Sequence, residues 1–187
     1  MIREEKETFP VPDNFRNLRE IITAYSIVTD NIRTSKNNLI RALDLLFPGL
    51  SNAIDIDEDT LDLLTKYVTP EDFISADRAD IEKYVSKRRY EKIMKIASDS
   101  PVNLSLERSL RMEISSLIRI LKVLMDEKKS FEKAMKSDPL LENHVIMSIP
   151  GIGPITGSVI LGKICDINRF ENTEISEINI KERRFST

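Results

Sequence analysis

The 187-residue chain contains one cysteine, Cys165, and one histidine, His144. A single thiol forbids an internal disulfide, and a single imidazole beside it leaves no Cys/His set for a metal cluster. No apolar run approaches the roughly 18 to 20 residues that cross a bilayer. The opening stretch MIREEKETF lacks the apolar block of a signal peptide, so a cytoplasmic protein with no membrane partner is expected. Neither charge sign dominates. With 28 Lys and Arg against 31 Asp and Glu, the net charge of -3 gives no global basic field to announce nucleic acid. Glycine is scarce as well, yet four of the five, Gly151, Gly153, Gly157 and Gly162, fall within or just past SIPGIGPITGSVIL at 148–161.

What is present suits one or two modest helical domains with a real core, since 41% of the residues are hydrophobic. Charge is unevenly placed. The stretch from Asp55 to Glu82 is mostly acidic, whereas Lys83, Lys87, Arg88, Arg89, Lys92 and Lys95 lie close together; both read as solvated helix faces. Asp55, Asp57, Asp59 and Asp62 are dense enough to suggest a metal loop. The sixth and twelfth places of a calcium loop counted from Asp55 hold Thr60 and Lys66, however, which excludes that pattern and leaves helix starts.

Apolar residues recur at helical steps almost throughout. Phe15, Leu18, Ile22, Tyr25, Ile32, Leu39, Leu43 and Leu46 predict a helix of about thirty residues from Asp13 to the Pro48-Gly49 stop. Asp59 is expected to start a short helix, and Thr69 to cap another with Pro70 as its first residue. A further helix is expected from Ile81 to Ala97. Beyond Pro101, Leu110, Ile114, Leu117, Leu121, Leu124, Phe131 and Met135 keep a seven-residue repeat broken by Lys128. Such a stripe packs on a neighbouring helix of the same chain or forms a coiled coil, antiparallel with itself or with a second copy; the pattern does not choose. With no alternating strand pattern, the chain reads as all-α.

Pro139 to Ile149 reads as a helix with Leu141, Val145 and Ile149 on its apolar face, and Pro154 to Ile164 as a second. Only Pro150-Gly151-Ile152-Gly153 lies between, so both glycines are expected to supply positive φ. Gly157 and Gly162 would then let the second helix approach the first. Exposed amides of the turn and the helix start form an anion-seeking concavity suited to a phosphate.

Ile149 to Gly157, followed by Val159, Ile160 and Leu161, resembles the helix-hairpin-helix motif with which many DNA-handling proteins grip phosphates without reading bases. The longer stretch LENHVIMSIPGIGPITGSVILGKICDINRF is similar to the start of the C-terminal transposase domain in the insertion-sequence one-ten family, DEDD-type transposases with a RuvC-like N-terminal domain. FRNLREIITAYSIVTDNIRTSKNNLIRALDLLFPGL resembles that family's long helix near the end of the RuvC-like domain, and the heptad segment stands where the family has its coiled coil. The resemblance runs over about residues 13 to 170 and implies four linear segments: 1–98 from the RuvC-like domain, 99–138 coiled coil, 139–170 helix-hairpin-helix, and 171–187 a divergent, disordered tail.

Membership implies cutting and rejoining DNA at an element's ends, guided by a bridge RNA, with Mg²⁺ on four acidic residues and a serine nucleophile. The acidic quartet and the serine segment have no counterpart here. The expectation is therefore a piece truncated at both ends, with no metal site, no cofactor and no catalytic residue of its own. Ser158, among Val159, Ile160 and Leu161, is expected to be structural, and His144 to be a surface or satisfied residue rather than a ligand. The partners implied are DNA and the guide RNA. The expected contacts are the amides of Gly151, Ile152, Gly153 and Ile155, with Thr156 and Lys163 within reach of a neighbouring phosphate, and Arg33, Lys36, Asn37 and Arg41 on one polar side of the first helix. The rival expectations are a self-associating helical protein with no nucleic-acid role, or a regulator that joins an intact transposase.

Overall fold

The computed structural model describes residues 13–100, 106–142 and 144–164. Among them every regular element is helical and no strand occurs, in agreement with the all-α expectation. The helices are α1 (Asp13–Leu46), α2 (Glu58–Lys66), α3 (Pro70–Ser75), α4 (Arg78–Ile81), α5 (Lys87–Asp99), α6 (Glu107–Lys136) and α7 (Pro154–Ile164), with 3₁₀ turns at Leu50–Asn52 and Val145–Ser148. By packing, the chain divides into Ile27–Lys128 and a unit made of Met1–Ser26 with Lys129–Thr187. Both long helices thus contribute to each unit, a division that runs differently from the four linear segments. The 171–187 tail, the first twelve residues and Cys165 lie outside the described residues. No described helix is long and apolar enough to cross a membrane.

In the Ile27–Lys128 unit, Leu39, Ala42, Leu43 and Leu46 of α1 bury one stripe against Leu61 and Leu64 of α2, Phe73 of α3, Ile81 of α4, and Ile93 and Ala97 of α5. Phe47 and Phe73 meet edge to face at 5.7 Å, and each full burial contributes about 2–3 kcal/mol. The α1 helix ends where expected, Gly49 taking a φ of 87° that a side chain would resist. The start of α2 lies ahead of its expected place, because the Asp57 carboxylate accepts the Thr60 amide at 2.9 Å and caps the helix from there. Thr69 caps α3 as expected, in a reciprocal box with Asp72, and Pro70 is the first helical residue.

The helix expected from Ile81 to Ala97 is broken. Ser86 is extended and its hydroxyl accepts from the Arg89 amide, so α5 restarts after a turn that buries Val85. Periodicity alone hides such a break, because Ile81, Val85 and Ile93 are all buried on either side of it. The seven-residue seam of α6 turns inward: Leu110, Ile114 and Leu121 join this core together with Ile118, whereas Leu117 and Leu124 are half-buried. Arg111 ties α6 to the start of α3, bonding Asp72 through its two terminal guanidinium nitrogens at 2.9 and 3.0 Å and reaching Glu107 through Nε. Burial pushes the Asp72 carboxyl up, but the Arg111 bonds and the amides of Val68 and Thr69 outweigh it and hold the group below the usual carboxylate range.

The second unit buries Leu18 and Ile22 of α1, Met135 of α6, Leu141, and Leu161 of α7. Of the two helices expected here only the second, α7, is formed. In place of a helix over 139–149 the described backbone makes successive three-residue turns, with Leu141 bonding back to Asp138, Glu142 to Pro139, and Met147 to His144. Side chains compete with the helix for its amides. Asp138 accepts the Leu140 amide at 3.0 Å, and His144, itself extended, accepts the Ile146 amide on Nδ1 at 3.2 Å. The apolar face changes accordingly: Leu141 and Ile146 are buried, while Val145 is 75% and Ile149 49% exposed.

Candidate nucleic-acid interface

The turn from Ile149 to Gly153 delivers the chain into α7. Gly151 has a φ of 88°, with open space where its Cβ would stand. Gly153 does not share that conformation, which corrects the expectation for the pair. Its carbonyl accepts the Gly157 amide at 2.8 Å, so it is the cap residue of α7, with Pro154 first in the helix. The Ile152 amide is not available to a ligand, because it closes the turn on the Ile149 carbonyl at 3.2 Å. The Ile152 side chain instead reaches toward Gly157.

The amides of Ile155 and Thr156 lie in the first turn of α7, where no intrahelical carbonyl precedes them. Gly151, Gly153 and Thr156 are exposed, Ile155 is half-buried, and Lys163 is exposed in the last turn. The positive end of an eleven-residue helix thus begins among exposed residues. Beside them a cavity of about 260 Å³ is lined in part by Asp138 and Glu142, carboxylates that would repel an anion.

The close approaches expected of the two helical glycines divide. A Cβ on Gly157 would stand 2.9 Å from the Met147 sulfur, so Gly157 admits the preceding segment. One on Gly162 would stand 2.2 Å from Ile22 Cδ1, so Gly162 admits α1. Ser158 is structural, as expected. It is fully buried, and its hydroxyl lies 2.9 Å from the Pro154 carbonyl and 3.2 Å from that of Met135, where it can donate to either and help fasten the end of α6.

On α1 the four expected contacts differ in what already holds them. Lys36 donates to the Ile56 carbonyl, and Arg41 pairs with Glu113. Among the described residues Arg33 pairs with Asp30, one turn away and well exposed, and Asn37 is exposed. The sequence carries no local signal of these pairings, since Ile56 and Glu113 are 20 and 72 positions distant.

No described group of acidic, histidine or cysteine residues could hold a metal ion. The acids that looked dense in sequence are engaged elsewhere, Asp55 with Arg89, Asp57 at the α2 cap and Asp62 with Lys122. The Mg²⁺ implied by the resemblance thus finds no fitting donor set among the described residues.

Among known families, residues 143–175 fit the family model described as Transposase IS116/IS110/IS902 family. That span covers a minor part of the chain and holds the whole turn and α7. No curated protein and no solved structure matches the chain significantly.

Proposed function

We propose that this chain acts in DNA transposition as a part of an insertion-sequence transposase that holds nucleic acid by its phosphates, without reading bases. The observation that carries the reading is the exposed start of α7. Gly151 and Gly153 are exposed just ahead of its positive end and Ile155 and Thr156 lie in its first turn, within the segment similar to the transposase family, and their amides are the proposed phosphate donors. Thr156 and Lys163 supply a hydroxyl and an ammonium to flanking phosphates. Arg33 and Asn37 offer a further backbone contact to DNA or a guide RNA, because the exposed Arg33–Asp30 pair costs little to exchange. The proposed part is contact rather than chemistry, since the Ser158 hydroxyl is enclosed by backbone carbonyls.

Binding resting on a few phosphates is weak and falls steeply with salt, with a Kd on the order of 10⁻⁴ to 10⁻⁶ M for duplex at physiological salt. Titrating a labelled duplex by anisotropy tests this, with Gly153→Asp as the variant. Aspartate is a favoured cap residue, so α7 survives, while its carboxylate takes the same amides and repels phosphate. Loss of binding with unchanged helicity supports the proposal; unchanged affinity refutes it.

A second reading has its own observation. On α6, Ile120 is 46% and Val123 61% exposed beside half-buried Leu117 and Leu124, an apolar strip suited to self-association. Light scattering distinguishes a dimer that Val123→Glu dissociates from a monomer.

A further inference from the structure

The exposed face of α5 carries a charge that the hairpin reading leaves unused. Arg88, Lys92 and Lys95 are exposed and follow each other at steps of four and three, which places them in one stripe turned away from the buried Ile93 and Ala97; Lys87 flanks it. Many other cations of this unit are matched by carboxylates: Arg41 by Glu113, Lys66 and Lys83 by Asp80, Arg78 by Glu82, Arg111 by Asp72, and Lys122 by Asp62. On α5, Arg89 is matched by Asp55, but Lys92 donates to the uncharged Asn52 carbonyl. Among the described residues Lys87, Arg88 and Lys95 have no carboxylate partner, and Glu91, the one acid between Lys87 and Lys95, lies near enough to Arg78 to act on its charge. Alongside runs a groove of about 390 Å³ between the Asn52–Asp55 segment and Ser86, Arg88 and Lys92.

We propose that this face of α5 is a nucleic-acid contact separate from the hairpin, taking the sugar–phosphate backbone of a duplex. The seven steps from Arg88 to Lys95 cover about 10 Å of helix, and one strand rises about 3.4 Å per nucleotide, so the stripe spans about three phosphates. No exposed large apolar side chain lies on α5, which removes what a protein interface core or a membrane surface would use. The inference does not depend on the α7 amides.

The test uses the full chain with Arg88→Gln and Lys95→Gln together, residues whose side chains form no ion pair or hydrogen bond among the described residues, with helicity checked by circular dichroism. Labelled 20-base-pair DNA and RNA duplexes are titrated between 50 and 200 mM salt. Two lost contacts at about 0.9 each reduce the DNA salt slope by about 1.8, so the ratio of wild-type to variant affinity widens about tenfold as salt falls over that range. The charge-preserving pair Arg88→Lys and Lys95→Arg restores the slope, and the loss recurs on the Gly153→Asp background. A larger loss on one duplex identifies which backbone the face takes. A wild-type slope on both duplexes overturns the proposal even if Gly153→Asp abolishes binding. A reduced slope with Gly153→Asp silent upholds this face and removes the hairpin reading instead. Displacement of the duplex by poly-L-glutamate as readily as by unlabelled duplex contradicts the assignment to nucleic acid.

Discussion

The contact between Gly162 and Ile22 offers a sharp test of how α7 docks on α1. A methyl group on Gly162 would stand 2.2 Å from Ile22 Cδ1, far inside van der Waals contact, while its next neighbours, Ile22 Cγ1 and Leu18 Cγ, would be ordinary contacts at 3.6 and 3.7 Å. Ile22 is buried, so Cδ1 has little room to retreat. Gly162→Ala alone therefore adds about 2 kcal/mol of overpacking, offset by at most about 1 kcal/mol of helix propensity. Ile22→Val alone removes Cδ1 and costs about 1 kcal/mol. Combined, the new methyl occupies the space that Cδ1 vacates, and the double variant should return to within about 0.5 kcal/mol of wild type. The expected coupling is about 2 kcal/mol. Urea unfolding followed by circular dichroism measures all four proteins. Additive costs would mean that α7 does not lie on α1 at this spacing, and the placement of the candidate interface would fall with it.

Other outcomes follow from single sites. Thr60 is buried with its hydroxyl unpartnered among the described residues, so Thr60→Val should stabilise the Ile27–Lys128 unit by about 1 kcal/mol in the same assay. Asp72 has its folded-state pKa depressed, so its contribution is complete above the ordinary carboxylate range and is lost as pH falls through the lower, folded value. Asp72→Asn should accordingly cost about 1–2 kcal/mol at pH 7, a figure moderated by the partial exposure of Arg111, and the gap to wild type should close below about pH 4. Gly151→Ala should cost about 1–2 kcal/mol from its positive φ alone, with Gly151→Asn cheaper, because asparagine tolerates that region better. Equal stability of the two Gly151 variants would show that the turn can be made another way.

The fold was legible where a cause is local. The steps of three and four along α1 and α6 and the Pro48-Gly49 stop act through neighbours in sequence. So does the Thr69-Pro70 start, and these elements stand as expected. The 139–149 segment was misread because Leu141, Val145 and Ile149 keep helical spacing, while the decisive groups, the Asp138 carboxylate and the His144 ring, take amides the helix would need. A hydrophobic pattern carries no record of that competition. At the turn, glycine identity pointed to positive φ but could not tell Gly151 from Gly153, whose role is to cap α7. The partners of Lys36 and Arg41 depend on which helices meet, and only the assembled core decides that.

The central claim is that the α7 start meets phosphates through its own peptide nitrogens, and amide chemical shifts report on those nitrogens directly. In a ¹⁵N-labelled chain titrated with short duplex DNA at low salt, the resonances of Gly151, Gly153, Ile155 and Thr156 should move most within this unit, and should revert when salt is raised. If they stay fixed while duplex binds, the phosphates are held elsewhere and the account of this turn is wrong.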